Sequence, residues 1–142
     1  MRHAIRLPAV CLSVLACGMT GPAGAQDTVR SLIDSLPAQL ATACAEGPLD
    51  CDAALGPVLE RLDAAALGPE ERASVVAALA GAVVSAAQGA DDLEGYAGPM
   101  ERLGAATPDT DQGAAIGELA AAFERGNPDE IADLEPVAAS PN

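Results

Sequence analysis

Few of the residue types that do chemistry in proteins are present in this chain. Its 142 residues hold 21 Asp and Glu, 7 Arg, 4 Cys, a single His and no Lys. The imidazole, His3, stands at the very start, so Ser-His-Asp or Cys-His catalysis and imidazole metal ligation have nothing to build on further along. Without lysine there is no Schiff base and no Walker-type phosphate contact, and no Cys-x-x-Cys-His is present to attach haem. Carboxylates and thiols remain. A glycosidase-like pair needs two carboxyls facing across a cleft. Spacing singles out no two of the 21 acids, and with 1% aromatic residues the chain is poorly equipped to wall a sugar site. Neither catalysis nor a cofactor is expected.

Three acidic runs deserve a test as cation ligands. Asp109-Thr110-Asp111-Gln112-Gly113 begins like an EF-hand loop, but that loop requires Gly at its sixth position and Glu at its twelfth. Here those positions are Ala114 and Ala120. Asp91-Asp92-Leu93-Glu94 and the acids of residues 129–135 also lack loop spacing, so they read as solvated helix ends. No dedicated metal site is expected. Diffuse cation screening is, and an acidic cation-binding or solvating role stands as the alternative to action by protein contact.

The two thiols with useful spacing are Cys44 and Cys51, separated by Ala-Glu-Gly-Pro-Leu-Asp. That is wider than a redox Cys-x-x-Cys, and zinc would need further Cys or His ligands. An even pair in an exported chain reads as a structural disulfide. Gly47-Pro48 lets the chain turn back, and Asp50 or Asp52 is placed to cap a following helix. In the loop-entropy model such a short closed loop contributes roughly 2–3 kcal/mol.

Export itself follows from residues 1–25, which read as a secretory signal. Arg2, His3 and Arg6 give a positive start, residues 7–19 an apolar run, and Thr20-Gly21-Pro22 a helix break. Ala23-Gly24-Ala25 then supplies the small-x-small pattern for cleavage between Ala25 and Gln26. The apolar run reaches about 20 Å at roughly 1.5 Å per residue, short of a bilayer core of about 30 Å. No later stretch is long and apolar enough, so no transmembrane helix is expected in the mature chain. Val14-Leu15-Ala16-Cys17 resembles a bacterial lipobox, which makes a lipid-anchored protein cut before Cys17 the rival route. Removing residues 1–25 takes away the histidine and leaves five arginines (Arg30, Arg61, Arg72, Arg102, Arg125) against all 21 acids, a balance of −16. Such acidity opposes nucleic acids and anionic membranes, which need clustered basic residues, and favours cationic partners. A composition rich in Ala, Gly, Pro and Arg but lacking Lys is also what GC-rich coding produces, so the charge need not have a binding origin.

The elements that must position these residues are helices. Apolar residues recur at helical spacing, and no alternating β-branched run marks a strand. Asp27 or Thr28 is expected to cap a first helix carrying Val29, Leu32, Ile33, Leu36 and Leu40, kinked or split near Leu36 by Pro37. Leu55, Val58, Leu59 and Leu62 mark a second, regular from Pro57. The third opens at Pro69 with Glu70 and Glu71 in its first turn, carries Val75, Val76, Leu79, Val83 and Val84, and ends at Gly89. Its other face holds Ala77, Gly81, Ser85 and Gly89, four apart, a row that lets a neighbouring backbone come close, either inside the domain or at an interface with another chain. A short helix broken by Gly95, Gly98 and Pro99 runs to Leu103. After a loop at 105–110, Asp111 leads a helix with Ile116, Leu119, Ala120 and Phe123. Asn127-Pro128-Asp129-Glu130 starts a last turn or two, and residues 136–142 are expected to be a disordered tail. The shared spacing of Val76-Leu79-Ala80-Val83 and Ile116-Leu119-Ala120-Phe123 is what any two amphipathic helices give.

The sequence therefore predicts one all-α domain over residues 26–135, an irregular bundle of about five short Ala-rich helices with a disulfide between the first two. It has 26 large apolar side chains for that core, which together with the acidity predicts modest stability that improves with salt. The expected role is that of an exported bacterial protein, periplasmic or secreted and non-catalytic. It would act by contact with a protein partner, by self-association or as an envelope accessory.

Overall fold

Proline and glycine set most helix boundaries, though not always where local rules place them. The computed structural model of the protein describes residues 23–138. Six helices follow one another: α1 (Ala23–Glu46), α2 (Pro48–Ala64), α3 (Pro69–Ala87), α4 (Ala97–Ala106), α5 (Thr110–Glu124) and α6 (Pro128–Ala138). A 3-10 turn, η1 (Glu94–Tyr96), precedes α4, and no strand occurs among the described residues. The all-α class stands, with six helices where about five were expected.

The largest departures are at α1 and α2. Pro37 does not split the first helix, which runs through it for 24 residues. An internal proline costs about 3 kcal/mol through its lost hydrogen bond and ring clash. Leu36, Leu40 and Cys44 are wholly buried, with Leu32 and Ile33 half-buried in the turns before, so apolar burial spans both sides of the proline. Each fully buried Leu contributes roughly 1.5–3 kcal/mol, which outweighs the break. Helix α2 likewise starts at Pro48 and not at Pro57, which lies exposed inside it. Cys51, Leu55, Val58 and Leu62 form the buried stripe that holds the helix on both sides of Pro57. The connection between α1 and α2 thereby shrinks to Gly47, whose φ of 146° only glycine adopts readily. Asp50 falls inside the first turn of α2 and Asp52 pairs with Arg102, so neither caps the helix.

The starts of α3, α5 and α6 follow their local signals closely, whereas α4 is not broken at Gly98 and Pro99 and runs past Leu103 to Ala106. Pro69 opens α3, and the Glu71 carboxylate accepts the Gly68 N–H at 3.0 Å. Asp109 caps α5, its Oδ1 accepting from the N–H groups of Asp111 and Gln112, both at 3.0 Å. The backbone of α6 continues to Ala138, beyond the point where the sequence places the end of order; residues 139–142 lie outside the described residues.

Helix α1 packs on α2 and α3, while α5 packs on α4 and α6. The two groups meet through α4 against α2 and α3 and through η1 against α2 and α5. One continuous core results, running from Leu36 and Leu40 through Leu55, Leu79, Val83 and Met100 to Ile116, Leu119 and Phe123. Three arginines brace it from outside. Arg72 reaches Asp63 on α2 at 2.7 Å and gives its Nε–H to the Ala106 carbonyl of α4, also at 2.7 Å. Arg102 ties α4 to α2 through Asp52 Oδ1 at 2.7 Å, and Arg61 donates to Gln39 of α1 at 2.6 Å.

Candidate binding surface

Cys44 and Cys51 are joined in a disulfide, and both side chains are fully buried. The bond pins the end of α1 to the first turn of α2 and presents no sulfur to an outside thiol, so its role is structural. Next to it, Pro48 packs against Gly95 of η1 so closely that a Cβ at Gly95 would lie 2.6 Å from the ring. Tyr96, also buried, donates its hydroxyl to the Cys44 carbonyl at 2.7 Å. Burial, and behind it the nearby Asp92 carboxylate, hold that phenol above its ordinary pKa. Its ring leans on Phe123 of α5, centroids 6.2 Å apart and tilted by 41°. A chain of contacts therefore runs from the disulfide through Tyr96 to Phe123.

Phe123 is the floor of a groove of about 280 Å³. The end of α3 and the turn after it supply Ala87, Gln88, Ala90 and Leu93; α6 supplies Pro128, Ile131 and Ala132. Seven of these eight residues, Phe123 included, are apolar, Gln88 being the exception. The groove exists because the chain turns at Ala90 and again at Gly126, which sits at φ 61°. Those two turns bring α6 back alongside the end of α3. Asn127 supports the second turn, its Oδ1 accepting the Glu130 N–H at 3.4 Å.

Two of the acidic runs flank this groove. Asp91 and Asp92 lie between the lining residues Ala90 and Leu93, while Asp129 and Asp133 each follow a lining residue on α6; all four are exposed. None of the described arginines lines the groove. The nearest along the chain, Arg125, is paired with Glu130, an interaction that lowers the pKa of the Glu130 carboxyl and raises that of the guanidinium. The third run serves the fold: Asp109 caps α5, and Gln112, the one buried polar side chain among the described residues, accepts from the Thr107 hydroxyl and donates to the Ala73 carbonyl at 3.1 Å. Among the described residues, no group of three or more acids or cysteines converges as a metal ligand set.

A second, more open depression of about 340 Å³ lies between α2, the start of α3 and α4, lined by Leu59, Asp63, Arg72, Arg102, Ala105 and Ala106. Its two guanidiniums are already engaged as the braces described above.

The small-residue row of α3 is covered by the described residues at one end only. Ala77 is buried and Gly81 half-buried, but Ser85 and Gly89 are exposed. A Cβ added at Gly81 or Gly89 would meet nothing within 4 Å. The close helix approach occurs instead at Gly104 of α4 and Gly113 of α5, where an added Cβ would come within 3.2 Å and 3.1 Å of the other residue's carbonyl oxygen. Neither position stands out in the sequence, because each helix carries a second glycine, Gly98 or Gly117, and only the pairing across the helices distinguishes them. The Ala25–Gln26 junction falls in the first turn of α1, and Cys17, like all of residues 1–22, lies outside the described residues. Among the described residues no helix is long and apolar enough to cross a membrane. The groove residues Leu93, Phe123 and Ile131 carried a faint signal: the chain's only Phe stands just before a strong helix start flanked by acids.

No protein-family model matches the chain, and neither a curated protein nor a solved structure matches it.

Proposed function

We propose that this is an exported, non-catalytic helical module of the bacterial periplasm or exterior that acts by binding another protein. The groove over Phe123 is its contact surface. One observation carries the reading: an apolar recess opens on solvent over buried Phe123 and Ile131, rimmed by half-buried Leu93 and exposed Ala132. Apolar recesses with few polar groups are where proteins take up the side chains of partners and ligands. Export is supported by the secretory pattern of residues 1–25 and by a buried disulfide, which persists in oxidising compartments. The contacts that run from the disulfide through Tyr96 to Phe123 give the groove a fixed shape, so little ordering cost falls on this side of the contact.

Photo-crosslinking in the producing cell tests this directly. A photoreactive side chain at Gln88 or Ala132, both exposed on the groove, is expected to give one discrete protein adduct. The same group at Ala114, half a turn around α5 from Phe123, is expected to give none. Equal adducts from all three positions, or none from any, would remove the groove as the contact surface.

A further inference from the structure

We infer that the partner's contribution is a basic amphipathic segment, seating one or two apolar side chains in the groove between Leu93 and Ala132, above the buried Phe123, with Lys or Arg over the carboxylates on either lip. The inference rests on the reading of the groove as a contact surface and adds the chemistry of what it receives. The volume decides the first half. At about 280 Å³ and open to solvent, the groove is at or below the small end of cavities that enclose a whole small molecule, roughly 300–1,000 Å³. It suits side chains projecting from a larger body, as when an amphipathic helix lays its apolar stripe into a hydrophobic groove.

Charge decides the second half. Asp91, exposed, follows the lining residue Ala90 on the α3 side, and Asp129 and Asp133, also exposed, follow lining residues on α6, while the Asp92 carboxylate accepts the Gly95 N–H at 3.1 Å. No described arginine lines the groove. Exposed carboxylates next to both walls of an apolar recess make its surroundings negative, which attracts a basic segment and speeds its approach. A second copy of this chain fits poorly, because it would bring its own acidic lips and a formal charge of −14 over the full sequence to the same place. Like charges set against one another across an interface are costly.

The test uses the purified, oxidised protein and a set of fluorescent model helices sharing one apolar stripe, with a lysine, glutamine or glutamate polar face. By fluorescence anisotropy at low salt, the lysine helix is expected to bind at least about tenfold more tightly than the glutamine helix, a difference of about 1.4 kcal/mol. High salt should close that gap. Asp91→Asn with Asp133→Asn, which preserves side-chain shape, should bring the lysine helix to the level of the glutamine helix. Ala132→Arg, at an exposed position, should abolish binding of both while leaving the circular dichroism unchanged. Equal binding of the lysine and glutamine helices, still blocked by Ala132→Arg, would overturn the basic partner and leave the groove as a contact surface. Binding indifferent to Ala132→Arg, or no binding by any helix, would overturn the inference. So would a dimer in light scattering that Ala132→Arg dissolves.

Discussion

Tyr96 links more of this molecule than any other single residue. Its hydroxyl satisfies a backbone carbonyl 52 residues away, at the disulfide corner, and its ring supports the floor of the groove. An intramolecular hydrogen bond contributes about 1 kcal/mol net, and the Cys44 carbonyl also accepts the Gly47 N–H at 3.3 Å, so it is not left without a partner when the hydroxyl goes. Tyr96→Phe is therefore expected to lower stability by about 1 kcal/mol at neutral pH, measured by urea unfolding. The pH dependence has a definite sign. Burial raises the phenol's pKa in the folded state, so its contribution is complete below the ordinary tyrosine pKa of about 10 and is lost as pH rises towards the folded value. The variant should lose less stability above about pH 10 than the native protein does. None of this was legible in the sequence, since a phenol seeking a distant backbone carbonyl leaves no local pattern. Gln112 shows the same limit: its run is legible as something other than a calcium loop, yet its bonds to Thr107 and Ala73 appear only once three helices meet. The disulfide pair was legible because the secretory pattern of residues 1–25, an even count after it and a turn between the cysteines all point the same way.

At the scale of elements, local start signals work where they stand alone and fail where burial overrides them. Pro69, Asp109 and Asn127 begin their helices as their chemistry demands. Pro37 and Pro57 do not interrupt theirs, because the apolar stripes of α1 and α2 continue through them, and a stripe's burial is a property of the partners it meets. The glycines of α3, α4 and α5 divide on the same principle and give opposite predictions. Gly113→Ala places a methyl 3.1 Å from the Gly104 carbonyl and 3.3 Å from the Thr107 Cγ2, against packed backbone. It should destabilise by about 1–3 kcal/mol, the ordinary cost of overpacking. Gly81→Ala meets open space in mid-helix and should stabilise by about 0.5–1 kcal/mol, since alanine is the better helix former. Thermal melts of the two variants beside the native protein decide it. If Gly81→Ala destabilises instead, the row on α3 is covered by another chain after all.

Over the whole molecule, a modest core is held by one covalent link and strained by its own charge. The acids outnumber the arginines 21 to 7 in the full sequence, and the helix-bracing pairs engage Arg72 and Arg102 far from the groove. Added salt should raise the melting temperature by screening this self-repulsion. The disulfide closes a short loop, so Cys44→Ala with Cys51→Ala should cost roughly 2–3 kcal/mol in the loop-entropy model. Circular dichroism should show a helical fold that melts earlier, with the largest loss of amide-exchange protection around η1, which leans on that corner through Pro48 and Tyr96. The fold class follows from composition and periodicity alone, whereas the groove needs the two turns that fold α6 back on α3, and those depend on tertiary contacts. Its role is tested most directly by the native mass of the protein in gently solubilised envelope or culture fluid, compared among the native chain, Ala132→Arg and Ala114→Arg. The native chain and Ala114→Arg are predicted to run in a complex larger than a monomer, and Ala132→Arg as a monomer with an unchanged helical spectrum. Three monomers, or a complex that Ala132→Arg leaves intact, would contradict a protein that works through this groove.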